Sequence, residues 1–272
     1  MSGCPNLRVL RFLQLTVDAA DMACVAQCRV SLASVRSLEL SPDASSAVDR
    51  MDELIGHMPR LCDLRFEAPV QWTSETNSLP MDPLNMGSMA LEIYTAAAPL
   101  CTANALPLLA SHATLRGLTL ILTPDHEHDA CTGLCDALER LRFPRLARLR
   151  LVRIYDCVPI GLVGRILAAF HALRDLSLFI GPWDGSESVR SIVEACPSGL
   201  RTLELRTGSN TLSHAEQLVN DGVPYFAIAL KQSSMRSLRC LQLRGFAPVA
   251  DTQELRGICH RRRIRFAFLS LQ

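Results

Sequence analysis

Four side chains with metal-ligating chemistry lie within ten residues of one another: His126, His128, Cys131 and Cys135, in the stretch HEHDACTGLC. Imidazole and thiolate are the ligands zinc favours. Their spacing matches no common zinc module, and a plainer arrangement explains the same residues. Asp125 caps a helix, the histidines occupy its exposed first turn, and the two cysteines four apart pack inward. The expectation is therefore no metal and no cofactor. A second cluster, Arg261-Arg262-Arg263 with Arg265, has the charge to meet phosphate. It falls where a last helix should end, and cations there complement the helix dipole. No phosphate loop, G-x-G-x-x-G, H-E-x-x-H or G-x-S-x-G phrase occurs, so nothing points to an enzyme.

The elements that must position any site are written in a phrase that returns ten times, about every 27 residues. It reads Leu7-x-x-Leu10-x-Phe12, Val35-x-x-Leu38-x-Leu40, Leu61-x-x-Leu64-x-Phe66 and a degenerate Ser88-x-x-Leu91-x-Ile93. It continues from Leu115, Leu146, Leu173, Leu200 and Leu238 to a weak Arg263-x-x-Phe266-x-Phe268. This period and pattern are the sequence form of a leucine-rich-repeat solenoid, one domain over 1–272 with repeats starting near 7, 35, 61, 88, 115, 146, 173, 200, 238 and 263. Apolar residues at the fourth and sixth positions alternate with variable ones, as in a half-buried strand. Between phrases, Ser186 to Ala195 opens with serine and acid and then shows helical apolar spacing. Ala44 to Met58, Asp125 to Leu141 and Pro159 to Ala172 behave alike. The prolines of Met58-Pro59, Phe143-Pro144 and Cys196-Pro197 end these helices before the next strand. The fold class is thus α/β: an open horseshoe of about ten parallel strands on the concave face with helices outside. At about 4.8 Å per strand its inner arc would be roughly 43 Å. Ala68 to Gly87, with three prolines, is an irregular connection, and Ser213 to Ser233 has room for two short helices.

In such a sheet the residue between the second and third anchors faces the concave side, in the row Arg11, Glu39, Arg65, Glu92, Thr119, Arg150, Ser177, Glu204, Gln242, Ala267. The alternating charge of its first half reads as a cross-strand ladder. Two residues further on, Tyr94, Ile121, Val152 and Phe179 form an apolar stripe that ends at Arg206 and Arg244. Trp72, Tyr155 and Trp183 lie in the loops beyond the same strand ends. Aromatic and apolar residues bordered by arginine are the usual make-up of a protein-binding hot spot. The alternative is that loops fold back and bury this row.

Composition narrows the setting. The net charge of +1 supplies no field for nucleic acid or an anionic membrane. No apolar run approaches the roughly 18 residues a membrane helix needs. Eleven cysteines, an odd number without paired spacing, occupy positions suited to small buried hydrophobes. A reducing compartment, cytoplasm or nucleus, is expected. The first strand has only six residues before it, so its apolar anchors call for a cover: an upstream segment, another subunit or a second copy.

The repeats, the helices between them and the Cys-Pro-x-Leu phrase at Cys4 (with a related one at Cys196) resemble the leucine-rich-repeat region of fungal-type F-box proteins. The ending Glu254 to Phe266 resembles their terminal helix and strand. The resemblance implies a substrate receptor working with an adaptor of a cullin-based ubiquitin ligase, although no F-box stretch precedes Cys4. The residues themselves point to a non-catalytic scaffold for a protein partner. The contrasting alternative is a metal protein or enzyme centred on 126–135.

Overall fold

In the computed structural model, ten strands run in chain order in a parallel sheet. The described residues are 6–12, 32–40, 55, 57–66, 91–97, 111, 113–121, 143–154, 160–180, 186–207, 226–231, 235–244 and 252–269. The chain divides into two compact units, Met1–Ile121 and Leu122–Gln272. Unit 1 holds β1 Val9–Phe12, β2 Ser37–Leu40, β3 Asp63–Phe66, β4 Ile93–Ala97 and β5 Gly117–Ile121. Unit 2 holds β6 Arg148–Ile154, β7 Asp175–Ile180, β8 Thr202–Thr207, β9 Cys240–Arg244 and β10 Arg265–Leu269. Its helices are α1 Ile160–Ala169, α2 Ser186–Ala195 and α3 Thr252–Arg261, and residues 226–231 are helical as well. This is the α/β repeat solenoid that the phrase predicts.

One backbone device builds most of the steps from one repeat to the next within each unit. A single carbonyl accepts two N–H groups from the following repeat. Arg8 O takes Arg36 N and Ser37 N at 2.8 and 3.1 Å; Arg36 O takes Cys62 N and Asp63 N at 2.9 and 3.0 Å. In unit 2, Arg174 O takes Arg201 N and Thr202 N, and Arg201 O takes Arg239 N and Cys240 N. Before most of these strands a tight turn brings the first anchor's N–H to a carbonyl three residues back, as in Val35 to Leu32, Leu61 to Met58, Leu173 to Phe170 and Leu238 to Met235, whereas Leu91 N donates to Ser111 Oγ and Leu115 N to Ser111 O. The turn residue is itself apolar and buried, so Leu32, Met58, Phe143, Phe170 and Met235 extend the core beneath the strand starts. Phe143 and Phe170 meet edge to face, with ring centroids 5.6 Å apart.

The anchors behave as their spacing requires. Leu38, Leu64, Leu118, Leu149, Leu176, Leu203 and Leu241 are all buried. Outside the sheet of unit 2, α1 turns Val163, Ile166 and Leu167 inward, a spacing of three to four that gives one apolar face. α1 lies against α2 with Gly164 facing Ala195, where a Cβ would make ordinary contact at 3.7 Å. The predicted helix at Ser186 to Ala195 is observed with those bounds, and that from Pro159 to Ala172 is observed as α1. Most of Ala44–Met58 and Ser213–Ser233, together with all of Asp125–Leu141 and Ala68–Gly87, lies outside the described residues.

The fourth repeat corrects the sequence reading. Its phrase is Leu91-x-x-Tyr94-x-Ala96, three residues later than Ser88-x-x-Leu91-x-Ile93. Tyr94 pairs with Leu64 on one side and Leu118 on the other, so it occupies the anchor column. Glu92 N and Ile93 N donate to Cys62 O, and Arg116 N and Gly117 N to Glu92 O, as second- and third-position residues do elsewhere. Thr114 Oγ1 donates to Leu91 O at 2.8 Å, matching Ser34 Oγ to Leu7 O at 3.0 Å one residue before a first anchor. The physical reason is volume: Tyr94 fills a leucine position and is 0% exposed.

The chain's last turn ends in a Schellman motif. Arg263 N donates to His260 O and Ile264 N to Cys259 O, while Arg263 adopts a left-handed φ of 57°. Buried Ile264 and Cys259 supply the apolar contact that accompanies this motif.

Candidate binding face of the parallel sheet

The variable strand positions of unit 2 assemble around one carboxylate. Glu204, at the centre of β8, accepts from Ser177 Oγ on β7 at 2.9 Å and from Arg206 Nε at 2.8 Å. Arg244 Nε on β9 lies 2.8 Å from the same carboxylate, in ion-pair contact. Arg244 also donates to Gln242 Oε1 at 3.3 Å, and Gln242 Nε2 reaches Cys240 Sγ at 3.4 Å. Parallel register makes this possible, since Ser177, Glu204 and Gln242 are paired across three strands, as are Phe179, Arg206 and Arg244. The Glu204 side chain is 14% exposed and those of Arg206 and Arg244 are 31% and 41% exposed. Two guanidiniums are thus anchored at one end and reach solvent at the other, beside the half-buried ring of Phe179.

The expected stripe survives in part. Tyr94 is a core residue and does not belong to it; Ala97, which pairs with Ile121, stands at that register position instead. Glu92 likewise leaves the inner row, where Thr95 pairs with Arg65 and Thr119. Ile121 ends β5. Val152 is half-buried in β6, but the register slips between Leu151 and Ile154, so Val152 and Arg153 together stand opposite Phe179. Phe179, Arg206 and Arg244 form the continuous remainder of the row. Trp72, Tyr155 and Trp183 lie outside the described residues, as does the whole of 126–135.

Unit 1 presents a simpler inner row. Arg11 Nε pairs with Glu39 across β1 and β2 at 2.8 Å, and Arg65 pairs with Asp63 along β3, donating to both of its carboxylate oxygens. Arg11–Glu39 is a cross-strand pair of the alternating row, whereas Arg65 turns to Asp63 on its own strand, outside that row.

Among the described residues, no three His, Cys, Asp or Glu side chains gather as a metal site. The four described cysteines, Cys62, Cys196, Cys240 and Cys259, are free thiols. Burial pushes the Cys196 thiol up to about 12 and that of Cys259 up to about 11, so neither is poised as a nucleophile. Cys62 is raised by burial first and then by the charges of Glu92 and Asp63. Glu254 is held below its ordinary value by the Lys231 ammonium that donates to it at 2.6 Å.

The basic cluster at the chain's end also has an assigned structural member. Arg262 donates to the carbonyls of Leu230 and Met235 (the latter at 2.9 Å), closing the end of helix 226–231 and the turn after it. This carbonyl capping by an arginine of the next repeat had no local signal in the sequence, because it depends on which helix lies alongside α3. No helix among the described residues is long and apolar enough to cross a membrane. No protein-family signature matches the chain, and no curated protein matches its sequence.

Proposed function

We propose that this chain is a non-catalytic scaffold that holds another protein on the sheet face of unit 2. The observation that carries the reading is the aligned row Phe179, Arg206, Arg244, in which Glu204 fixes two arginines beside a half-buried aromatic ring. Fixing a guanidinium in advance reduces the side-chain entropy lost on binding. An aromatic residue flanked by ordered arginines is the composition of a binding hot spot. The resemblance of the repeats to those of F-box proteins supports one particular form of this function, the substrate-receptor part of a cullin-based ubiquitin ligase. Free thiols at all four described cysteines support residence in cytoplasm or nucleus.

The test is partner capture from the native cell by the unaltered chain and by a Phe179→Ala/Arg206→Ala variant, with mass spectrometry as the readout. A partner retained by the unaltered chain should be lost from the double variant and kept by Arg190→Ala, a change on the exposed side of α2. Equal capture by all three would remove the site. Recovery of a cullin adaptor together with a substrate would support the ligase form.

A further inference from the structure

A second feature of unit 2 lies where its strands begin, away from the Phe179 end. The second position of each repeat carries the carbonyl that joins it to the next, and in three consecutive repeats that residue is arginine: Arg174, Arg201 and Arg239. The bonds Arg201 N to Arg174 O and Arg239 N to Arg201 O, both 2.7 Å, hold these backbones one strand apart, about 4.8 Å. Arg236, in the turn before β9, adds a fourth cation. All four arginines are exposed. Arg201, Arg236 and Arg239 line a cleft of about 380 Å³ together with Ser237.

Succession across adjacent strands sets this group apart more than charge balance does, since Arg36 and Arg116 also form no ion pair among the described residues. Arg65, Arg190, Arg206, Arg244 and Lys231 each meet a carboxylate within 2.8 Å. Among the described residues, no acidic side chain forms an ion pair with Arg174, Arg201, Arg236 or Arg239. Like charges held in a line by the backbone repel one another, and an anion placed between them converts that repulsion into attraction. Guanidinium groups present planar forks that match phosphate oxygens two at a time, and a serine hydroxyl supplies a further donor.

We propose that this cleft is a recognition site for a phosphorylated side chain on a peptide, with Arg201, Arg236, Arg239 and Ser237 contacting the phosphate and Arg174 meeting the chain beside it. The cleft's volume stands near the lower end of the roughly 300–1,000 Å³ of ligand pockets, suited to one phosphorylated side chain. A long nucleic acid would engage a longer basic track on a protein with greater positive charge, whereas this chain carries a net +1. Arginine clusters are the common means of reading phosphorylated motifs.

The experiment titrates the full chain into fluorescein-labelled short peptides of glycine and alanine around a central phosphoserine, glutamate or serine, and into a labelled single-stranded oligonucleotide. The phosphoserine peptide should bind at least tenfold more tightly than either other peptide and more tightly than the oligonucleotide, and inorganic phosphate should displace it. Arg201→Ala/Arg239→Ala should weaken that binding at least tenfold while the thermal midpoint stays within a degree of the unaltered chain. The phosphate reading is overturned by a glutamate peptide of equal affinity, by tighter binding of the oligonucleotide, or by undiminished binding to the double variant. If that variant's melting temperature falls, Arg201→Lys/Arg239→Lys takes its place. Retained charge without the planar fork should still cost several-fold in affinity, and undiminished binding by this variant equally overturns the bidentate reading.

Discussion

The two units use the same repeat and distribute charge in opposite ways. In unit 1 the inner row is closed pair by pair: Arg11 meets Glu39, and Arg65 meets Asp63. Its second-position row is mixed, running Arg8, Arg36, Cys62, Glu92, Arg116. In unit 2 one carboxylate, Glu204, serves two arginines and a serine, and the second-position row places three arginines in succession. In unit 1 the inner-row cations meet carboxylates one to one, while unit 2 gathers two arginines on one carboxylate and sets three in succession where its strands begin. The repeat backbone and the core are indifferent to this choice, because the variable positions lie outside the anchor columns. Binding capacity can accordingly be altered in a solenoid without disturbing its stacking.

The largest effect that can sharpen the comparison comes from two aromatics that the repeat spacing had placed in one stripe. Tyr94→Ala empties a fully enclosed anchor position and should cost about 3 to 5 kcal/mol, the range for large aromatic truncations in cores. Phe179→Ala removes a half-buried ring and should cost well under half of that. Urea unfolding of both variants measures the difference. Equal losses would place the two rings in the same environment and undo the rephasing of the fourth repeat.

That rephasing shows where the sequence was legible. Nine of the ten phrases are visible because leucine, valine or phenylalanine marks the anchors, and the tight turn before most strands keeps the phase. In the fourth repeat the actual steps are 30 and 24 residues, from Leu61 to Leu91 and from Leu91 to Leu115. A uniform period near 27 hid them, since Leu91 and Ile93 also satisfy the pattern when it is read three residues early. Tyrosine does not look like an anchor in a leucine repeat, and only its pairing with Leu64 and Leu118 identifies it as one. The Glu204 network was half legible: its members stood in the predicted rows, but their convergence on one carboxylate depends on side-chain reach across three strands. The second-position arginines were legible by simple alignment of the repeats and are missed when attention stays on the alternating strand positions.

The next effect in size separates the two kinds of charge arrangement. Glu204→Gln withdraws the carboxylate from Arg206 and Arg244 at a mostly buried position and should cost about 1 to 2 kcal/mol, hydrogen bonds to charged groups being worth roughly 1.5–3 before solvent exposure of the arginines is discounted. Glu39→Gln breaks a single pair whose arginine is 61% exposed and should cost less than about 1 kcal/mol. Denaturant midpoints decide it, and a larger loss for Glu39→Gln would reverse the contrast between the units.

A smaller change should stabilise unit 2. Arg263 closes α3 in the left-handed region, where a side chain costs about 1–2 kcal/mol relative to glycine. Arg263→Gly relieves that strain but also gives the unfolded chain more freedom, worth about 0.4–1 kcal/mol. The net gain should be about 0.5–1 kcal/mol, read as a raised thermal midpoint. A lowered midpoint would show that the Arg263 side chain makes a stabilising contribution larger than the backbone strain.

The effect smallest near neutrality involves the thiols. Cys196 and Cys259 ionise at about 12 and about 11 in the folded chain, against 9.0 ordinarily. Above pH 9 the unfolded chain therefore binds fewer protons than the folded one, so stability falls as pH rises from 9 through 11 to 12 and is unaffected by these groups below about pH 8. Thermal midpoints from pH 7 to 11 should show the decline, and Cys196→Ala/Cys259→Ala should lessen it. In alkylation at pH 8, Cys62, half-buried in unit 1, should react before the buried Cys259, and faster reaction at Cys259 would contradict its buried placement.

The central claim, that unit 2 holds its partner on the sheet face, is tested most directly by site-specific photocrosslinking in the native cell. A photoreactive phenylalanine analogue is placed at Phe179 in one chain and at Arg190, on the exposed side of α2, in another. One discrete crosslinked protein is expected from position 179 that is absent from position 190. A crosslink from 190 alone, or the same product from both positions, would contradict it.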